Sequence, residues 1–348
     1  MKARTRSKWR LFAALIIASA LIGSGYAVLL DVAIRSEFSA YSFLRGALRG
    51  AMIGVIVLSF EAYLARSPLG ERIRRANFAT SLAIHTAAST AVLMAAVVLS
   101  RALLSSRGHS MEQWLSIGFL RDSGFALIIV FAIHFVIQVR RIVGGRVLAN
   151  FVLGRYHRPK KEDRIFMFLD IAGSTRMAER LGDTGAHLLI SRFFLDIAEP
   201  VLEFDGETHR YIGDEVVVTW PMADGVSNAR CLRCYAAICD RIAAVSPSYE
   251  KEFGIVPRFR VGLHGGPVVA GECGDDKKEI VYFGDTINTA KRLEEACRDF
   301  DQPILISGDL LARINLPDGF VMVDLGPTAL RERNQKLEIY GVSQHPAG

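Results

Sequence analysis

Ile165-Phe166-Met167-Phe168-Leu169-Asp170-Ile171-Ala172-Gly173-Ser174-Thr175 is an apolar run closed by an acid and followed by small residues. An unbroken apolar run of this kind reads as a buried strand. It delivers Asp170 to its C-terminal end, and a helix opens at Gly173 to Thr175. Further on, His209-Arg210-Tyr211-Ile212-Gly213-Asp214-Glu215-Val216-Val217-Val218 reads as a β-hairpin with Asp214 at its tip. Two carboxylates held at strand ends and turns, beside a helix N-terminus, suit Mg²⁺ and polyphosphate. Acids ligate the hard cation, and free backbone N–H groups take phosphate oxygens.

The surrounding chain has 348 residues, enough for two domains, and is 51% hydrophobic. The excess of apolar residues sits before about Ala149, which predicts a membrane part and a soluble part. The net charge is +6. Basic residues cluster at segment ends in the first half, which assigns them to membrane topology. No basic groove interleaved with aromatics is visible, so nucleic acid is not an expected partner. The five cysteines, Cys231, Cys234, Cys239, Cys273 and Cys297, all fall in the second half. An odd number crowded on one expected helix is no disulfide framework and fits a reducing cytosol.

Residues 1–139 read as a transmembrane domain with four spans, at about 11–30, 47–65, 78–104 and 119–139. Ala18-Ser19-Ala20 resembles a signal-peptide cleavage site, but the apolar run continues past it and more spans follow, which favours an uncleaved helix. Lys2, Arg4, Arg6, Lys8 and Arg10 precede the first span. Arg66, Arg72, Arg74 and Arg75 separate the second from the third, and Arg140, Arg141 and Arg146 follow the fourth. The bias puts both termini and the soluble half in the cytoplasm of a multi-pass protein of the inner (plasma) membrane, surrounded by lipid. Glu61, His85 and His134 are ionisable at membrane depth and need a partner or a cavity. Hydrogen bonding between helices is one reading; a haem, a quinone or another ligand at the transmembrane domain is the other.

Residues 140–163 read as a helical juxtamembrane linker, amphipathic at first and broken at Pro159. Residues 164–343 alternate strand and helix. Helical segments are expected over 174–181, 185–204, 226–245 and 286–297. Strands are expected over 258–264, 280–283, 304–306, 320–324 and 337–342, with Gly265-Gly266 as a turn. The class is α/β, in the α+β sense, with a mixed sheet.

Four stretches of this half resemble class III nucleotide cyclase catalytic domains. They are Phe168 to Thr175, Ile212-Gly213-Asp214, Val261-Gly262-Leu263-His264-Gly265-Gly266, and Gly284-Asp285-Thr286-Ile287-Asn288-Thr289-Ala290-Lys291-Arg292-Leu293-Glu294. They stand in the family's order and spacing. The resemblance implies a palm-like, ferredoxin-type domain behind the α-helical transmembrane bundle, and a homodimer with active sites at its interface. The implied reaction is attack of the ribose 3′-hydroxyl of a nucleoside triphosphate on its α-phosphate, releasing pyrophosphate.

On that resemblance Asp170 and Asp214 would hold two Mg²⁺ or Mn²⁺ ions per site, with the Ile171 carbonyl as a further ligand. Ala172, Gly173, Ser174 and Thr175 would offer backbone N–H groups to the phosphates. Asn288 and Arg292, four apart on one helix face, would reach in from the partner subunit. Arg292 would stabilise charge at the α-phosphate and Asn288 would orient the ribose. Arg333, in a stretch resembling the family's triphosphate clamp, is the further phosphate candidate. The base-reading positions depart from the pattern, since Arg210 stands where a lysine is common and Val281 where an aspartate or threonine is common. Glu279 or Tyr282 would have to compensate. ATP is the expected substrate, giving cyclic AMP. A guanylate cyclase and a catalytically silent nucleotide-binding receptor are the alternatives. Cys231-Leu232-Arg233-Cys234 reads as helix packing, and His264 as structural.

Overall fold

The structure is a computed structural model. It describes residues 2–35, 39–75, 77–104, part of 123–152, 153–329 and 336–344. The chain divides into two compact units, Met1–Val143 and Gly144–Gly348.

The first unit holds helices α1 (Lys2–Arg35), α2 (Ala40–Arg66), α3 (Pro68–Arg75) and α4 (Phe78–Leu104). Among the described residues three helices are long and apolar enough to cross a membrane: Phe12–Ala33, Ala40–Leu64 and Ala79–Ser100. This corrects the expectation of four. The fourth segment is described only as a shorter apolar helix, Ser123–Ala132. Its Phe125 stacks on Tyr26 at 4.5 Å, and its Val130 packs with Leu93 and Val97. The arginine-rich stretch after α2 is itself helical. Ser67 closes α2 by its N–H to Leu64 and caps α3 by accepting from Gly70 at 3.0 Å.

Glycines at every fourth position set the α1–α2 packing. A Cβ on Gly46 would stand 2.6 Å from the Gly23 carbonyl oxygen, and one on Gly50 2.2 Å from that of Ser19. The two backbones touch, the arrangement lipid-embedded helices use in place of a hydrophobic driving force. Ile17, Leu21 and Leu29 face outward and exposed, which water penalises and lipid does not. Glu61 of α2 accepts a hydrogen bond from the Ser89 hydroxyl of α4, so the inter-helix reading holds for that residue. His85 is half-buried, and His134 lies outside the described residues.

The second unit is built on an eight-stranded mixed sheet. Its strands are β1 (Lys160–Ile171), β2 (Glu207–Ile212), β3 (Glu215–Pro221), β4 (Phe259–Cys273), β5 (Glu279–Phe283), β6 (Ile304–Ser307), β7 (Phe320–Thr328) and β8 (Leu337–Gln344). The order is β2-β3-β1-β4-β6-β8-β7, and β5 pairs with the far half of β4. Among the described residues only β4 and β6 pair in parallel. The opening stretch is the central strand, and its residues alternate between two cores. Ile165, Met167, Leu169 and Ile171 enter the layer formed with α5 (Ser174–Glu203) and α7 (Arg230–Phe253). Phe166 and Phe168 enter the opposite layer, with Tyr156, Tyr282 and Ala290. Burial of both faces explains why the run shows no polar alternation.

The expected break between two helical segments is Gly182, at φ 69° inside α5. One expectation fails: Gly265-Gly266 does not turn the chain. β4 runs straight through both glycines, paired with β1 from Ile171↔Phe259 to Lys160↔Ala270. The glycines are there for space. A Cβ on Gly265 would lie 2.9 Å from Met222 Cε, and one on Gly266 2.9 Å from Thr286 Oγ1. Met222 belongs to the short helix α6 (Met222–Val226), and Thr286 to α8 (Asp285–Ala296). The helix α9 (Gly308–Leu311) completes the unit.

Candidate active site

Asp170 comes to the end of β1 because the five residues before it are all buried, which fixes the strand in the sheet. Across the ladder it stands opposite Glu215 of β3 on one side and Arg260 of β4 on the other. The two-residue turn Gly213-Asp214 joins β2 and β3, with Gly213 at φ 63°. Asp214 is therefore one residue beyond Asp170 at the same end of the sheet. Charge agrees with this placement. The Asp170 carboxyl is pushed up to about 7, first by burial and then by the neighbouring Asp214 and Glu294.

The phosphate candidates divide. The Ala172 N–H donates to the Arg258 carbonyl at 2.8 Å, so it is committed to the sheet, which corrects the expectation for that residue. Gly173 is the N-cap of α5 in the left-handed region, with no side-chain cap and no acid in the first turn. Ser174 and Thr175 open the helix, where N–H groups lack intrahelical partners. Ile171 is buried and paired with Phe259.

Helix α8 lies on β4 at backbone contact. It buries Thr286, Thr289, Ala290, Leu293, Glu294 and Ala296. Asn288 is exposed on the opposite face. Arg292 is half-buried, with Nη1 3.9 Å from Asp285 Oδ1. A cavity of about 400 Å³ joins Arg292 to Asp170, with Arg260, Lys291, Arg298 and Thr328 also in its wall. Asn288 is not among the lining residues.

Sequence reasoning missed the charges beneath this cavity. Lys291 bonds Glu215 and, at 2.7 Å, Glu294. Both acids are buried. Burial pulls the Lys291 ammonium down, but the Glu215 and Glu294 bonds outweigh it and hold the pKa above the ordinary lysine value. Burial raises Glu215, against the Lys291 bond. One signal was available: Glu215 opens a strand otherwise wholly apolar up to Thr219. Arg260 was legible only as the cross-strand partner of Asp170, which needs the register.

At the base-reading positions the ladder is irregular. β2 shifts register between Thr208 and Arg210, and the bulge leaves Arg210 free to reach Glu279 of β5. Glu279 also meets Lys277 at 2.6 Å. Val281, also of β5, pairs with Gly271 of β4. Tyr282 is buried against Phe166 and His209, away from that edge. Arg333 lies outside the described residues. Cys231 and Cys234 are buried in α7 with thiols raised by burial, as helix packing requires. His264 is buried with Nδ1 2.6 Å from the Ser307 hydroxyl.

Residues 157–344, more than half of the chain, match the adenylate and guanylate cyclase catalytic domain, and the chain belongs to that family. It is 43% identical over 211 residues to adenylate cyclase 2 of Rhizobium meliloti (strain 1021), an alignment covering 61% of this chain and 58% of the relative. It is 27% identical over 345 residues to adenylate cyclase 1 of the same strain, covering 92% of this chain and 50% of that one. The chain thus spans somewhat more than half the length of one of these curated relatives and half of the other. A solved bacterial light-regulated adenylyl cyclase shares the fold, with a TM-score of 0.55 and 20% identity over 66% of this chain and 67% of that one.

Proposed function

We propose that the protein is a membrane-anchored adenylate cyclase that converts ATP to 3′,5′-cyclic AMP and pyrophosphate. The observation that carries this reading is the meeting of Asp170 and Asp214 at one sheet end, beside a cavity walled by Arg260 and Lys291. The donor set fits Mg²⁺ or Mn²⁺. Among the described residues no group of three or more His, Cys, Asp or Glu is arranged to hold a metal. Two carboxylates are what a triphosphate-borne hard cation needs from a protein, since phosphate oxygens and water supply the rest. Bound there, such ions would lower the pKa of the 3′-hydroxyl and neutralise charge on the triphosphate.

The protein's own groups do the remaining work. Gly173, Ser174 and Thr175 offer N–H groups to the β- and γ-phosphates at the start of α5. Arg260 faces the same oxygens from the strand beside Asp170. Arg292 and Asn288 complete the site of a partner subunit in a homodimer, Arg292 at the α-phosphate and Asn288 at the ribose. The 3′-hydroxyl gives its proton to solvent, its oxygen bonds the α-phosphorus, and the P–O bond to the β-phosphate breaks, so that pyrophosphate leaves. Arg210 and Glu279 meet the base edge, with Val281 as an apolar wall. That pair offers one donor side and one acceptor side. This favours a second reading, a guanylate cyclase, because guanine also presents both.

A cytoplasmic catalytic unit agrees with ATP as the substrate and with the free cysteines Cys231, Cys234 and Cys297. Basic residues fill the first turns of α1, ahead of its apolar span, and fill α3, and the positive-inside bias favours the cytoplasmic side for both. Purified full-length protein incubated with ATP and with GTP separately, with Mg²⁺ and with Mn²⁺, tests the reading. Cyclic AMP from ATP is expected; cyclic GMP alone selects the second reading, and no product from either base overturns both.

A further inference from the structure

We propose that Lys291 is a positioning residue that couples the two half-sites carried by one chain. The proposal rests on the shared-site reading above. One half-site is the carboxylate pair Asp170 and Asp214, which serves the chain's own substrate. The other is the pair Asn288 and Arg292 on α8, which serves the partner's. In the fold these are different elements, a hairpin tip and a helix, and each could in principle move alone.

Lys291 joins them. Its ammonium is paired with Glu215 of β3 and, at 2.7 Å, with Glu294 of α8. Glu215 follows Asp214 directly and faces Asp170 across the ladder. Lys291 precedes Arg292 directly. The side chains of Glu215 and Glu294 are 8% and 4% exposed, so neither has water as a substitute partner. Without the ammonium, two buried carboxylates would face each other from β3 and α8 and drive the elements apart. With it, a shift of α8 stretches a bond to β3, and a shift of the hairpin pulls on α8. The backbone contact between α8 and Gly262 removes slack below the helix. Filling of one site is therefore felt at Arg292 in the other.

The test uses mixed full-length dimers isolated by two different tags. Asp170→Asn paired with Arg292→Ala leaves one competent site, with acids from the Arg292→Ala chain and Asn288 and Arg292 from the Asp170→Asn chain. Lys291→Met is then placed in either chain. In the Arg292→Ala chain it is expected to raise the Mn²⁺ concentration for half-maximal activity about tenfold, the size of losing an outer contact to a ligand. In the Asp170→Asn chain it is expected to lower kcat about tenfold with the Mn²⁺ dependence unchanged, because only Arg292 is displaced. Lys291→Arg should restore most of both. Loss from only one placement overturns the coupling. So does an identical loss from both that follows a lowered Tm and that Lys291→Arg leaves in place. An inactive parent mixture, with heterodimers present, overturns the shared-site reading itself. The triple variant Lys291→Met, Glu215→Gln, Glu294→Gln removes the buried charges together and keeps the test independent of misfolding. It should fold and still show both signatures.

Discussion

Gly262 and Ala290 are in backbone contact: a Cβ on Gly262 would stand 2.3 Å from the Ala290 carbonyl oxygen and 2.3 Å from the Glu294 nitrogen. Neither atom is the end of a flexible side chain, so the only relief is movement of α8. Gly262→Ala is expected to destabilise the protein by about 1–3 kcal/mol, the range for overpacking a close contact. Activity should fall further than stability alone predicts, because the displaced helix carries Arg292. Thermal unfolding and kcat measured on the same preparation check this. An alanine variant with normal kcat would show that the position of α8 does not matter to the reaction.

Metal affinity should climb as pH rises through neutrality. In the metal-free fold the Asp170 carboxyl is held up to about 7 by burial, Asp214 and Glu294, so at pH 6 a cation must displace its proton. Between pH 6 and pH 8 the Mn²⁺ affinity should rise by about tenfold, and binding at pH 6 should release a proton measurable from the buffer dependence of the calorimetric heat. Asp170→Asn should abolish both the affinity step and the proton release.

Acid should weaken the catalytic unit through His209. Burial, with Arg210 and Arg164 beside it, lowers its pKa from 6.5 to about 4, against the pull of Glu279. The unfolded chain takes a proton as pH falls through 6.5, while the folded chain waits until about 4. Stability present above 6.5 is thus lost between those values, by on the order of 3 kcal/mol, and the loss stops below them. His209→Gln should flatten that part of the denaturation profile. An equally steep profile in the variant would assign the acid sensitivity elsewhere.

Base preference should respond to Glu279. Adenine offers an amino donor where guanine offers the O6 acceptor. Glu279 suits the first and Arg210 the second, and the bulge in β2 brings the two side chains together. Glu279→Ala should change the ratio of kcat/KM for ATP to that for GTP by about tenfold, the scale of one well-made base contact. An unchanged ratio would remove the pair from base recognition.

Much of this was legible in the chain because it is local. Apolar runs marked the central strand, the spans and the hairpin, and small residues marked the start of α5. The motif spacing singled out Asp170, Asp214, Asn288 and Arg292 as site candidates. The errors have physical causes. Gly265-Gly266 looks like a turn because glycine permits one, but here it makes room for Met222 and Thr286. Ala172 looks like a phosphate donor until the sheet takes its N–H. The glycines of α2 gave no sign of their partner, because Ser19 and Gly23 are distant in sequence.

The order of residues alone determined the apolar helical half and the catalytic half, the acid at the end of the central strand and the family's motifs. These depend on hydrophobic period and on neighbours a few positions apart. Only the tertiary structure decided that Arg260 stands opposite Asp170, that Lys291 joins Glu215 to Glu294, and that Arg210 meets Glu279. Each of those depends on strand register and on a helix seated against a strand, and one residue of slip in either would send the side chain elsewhere.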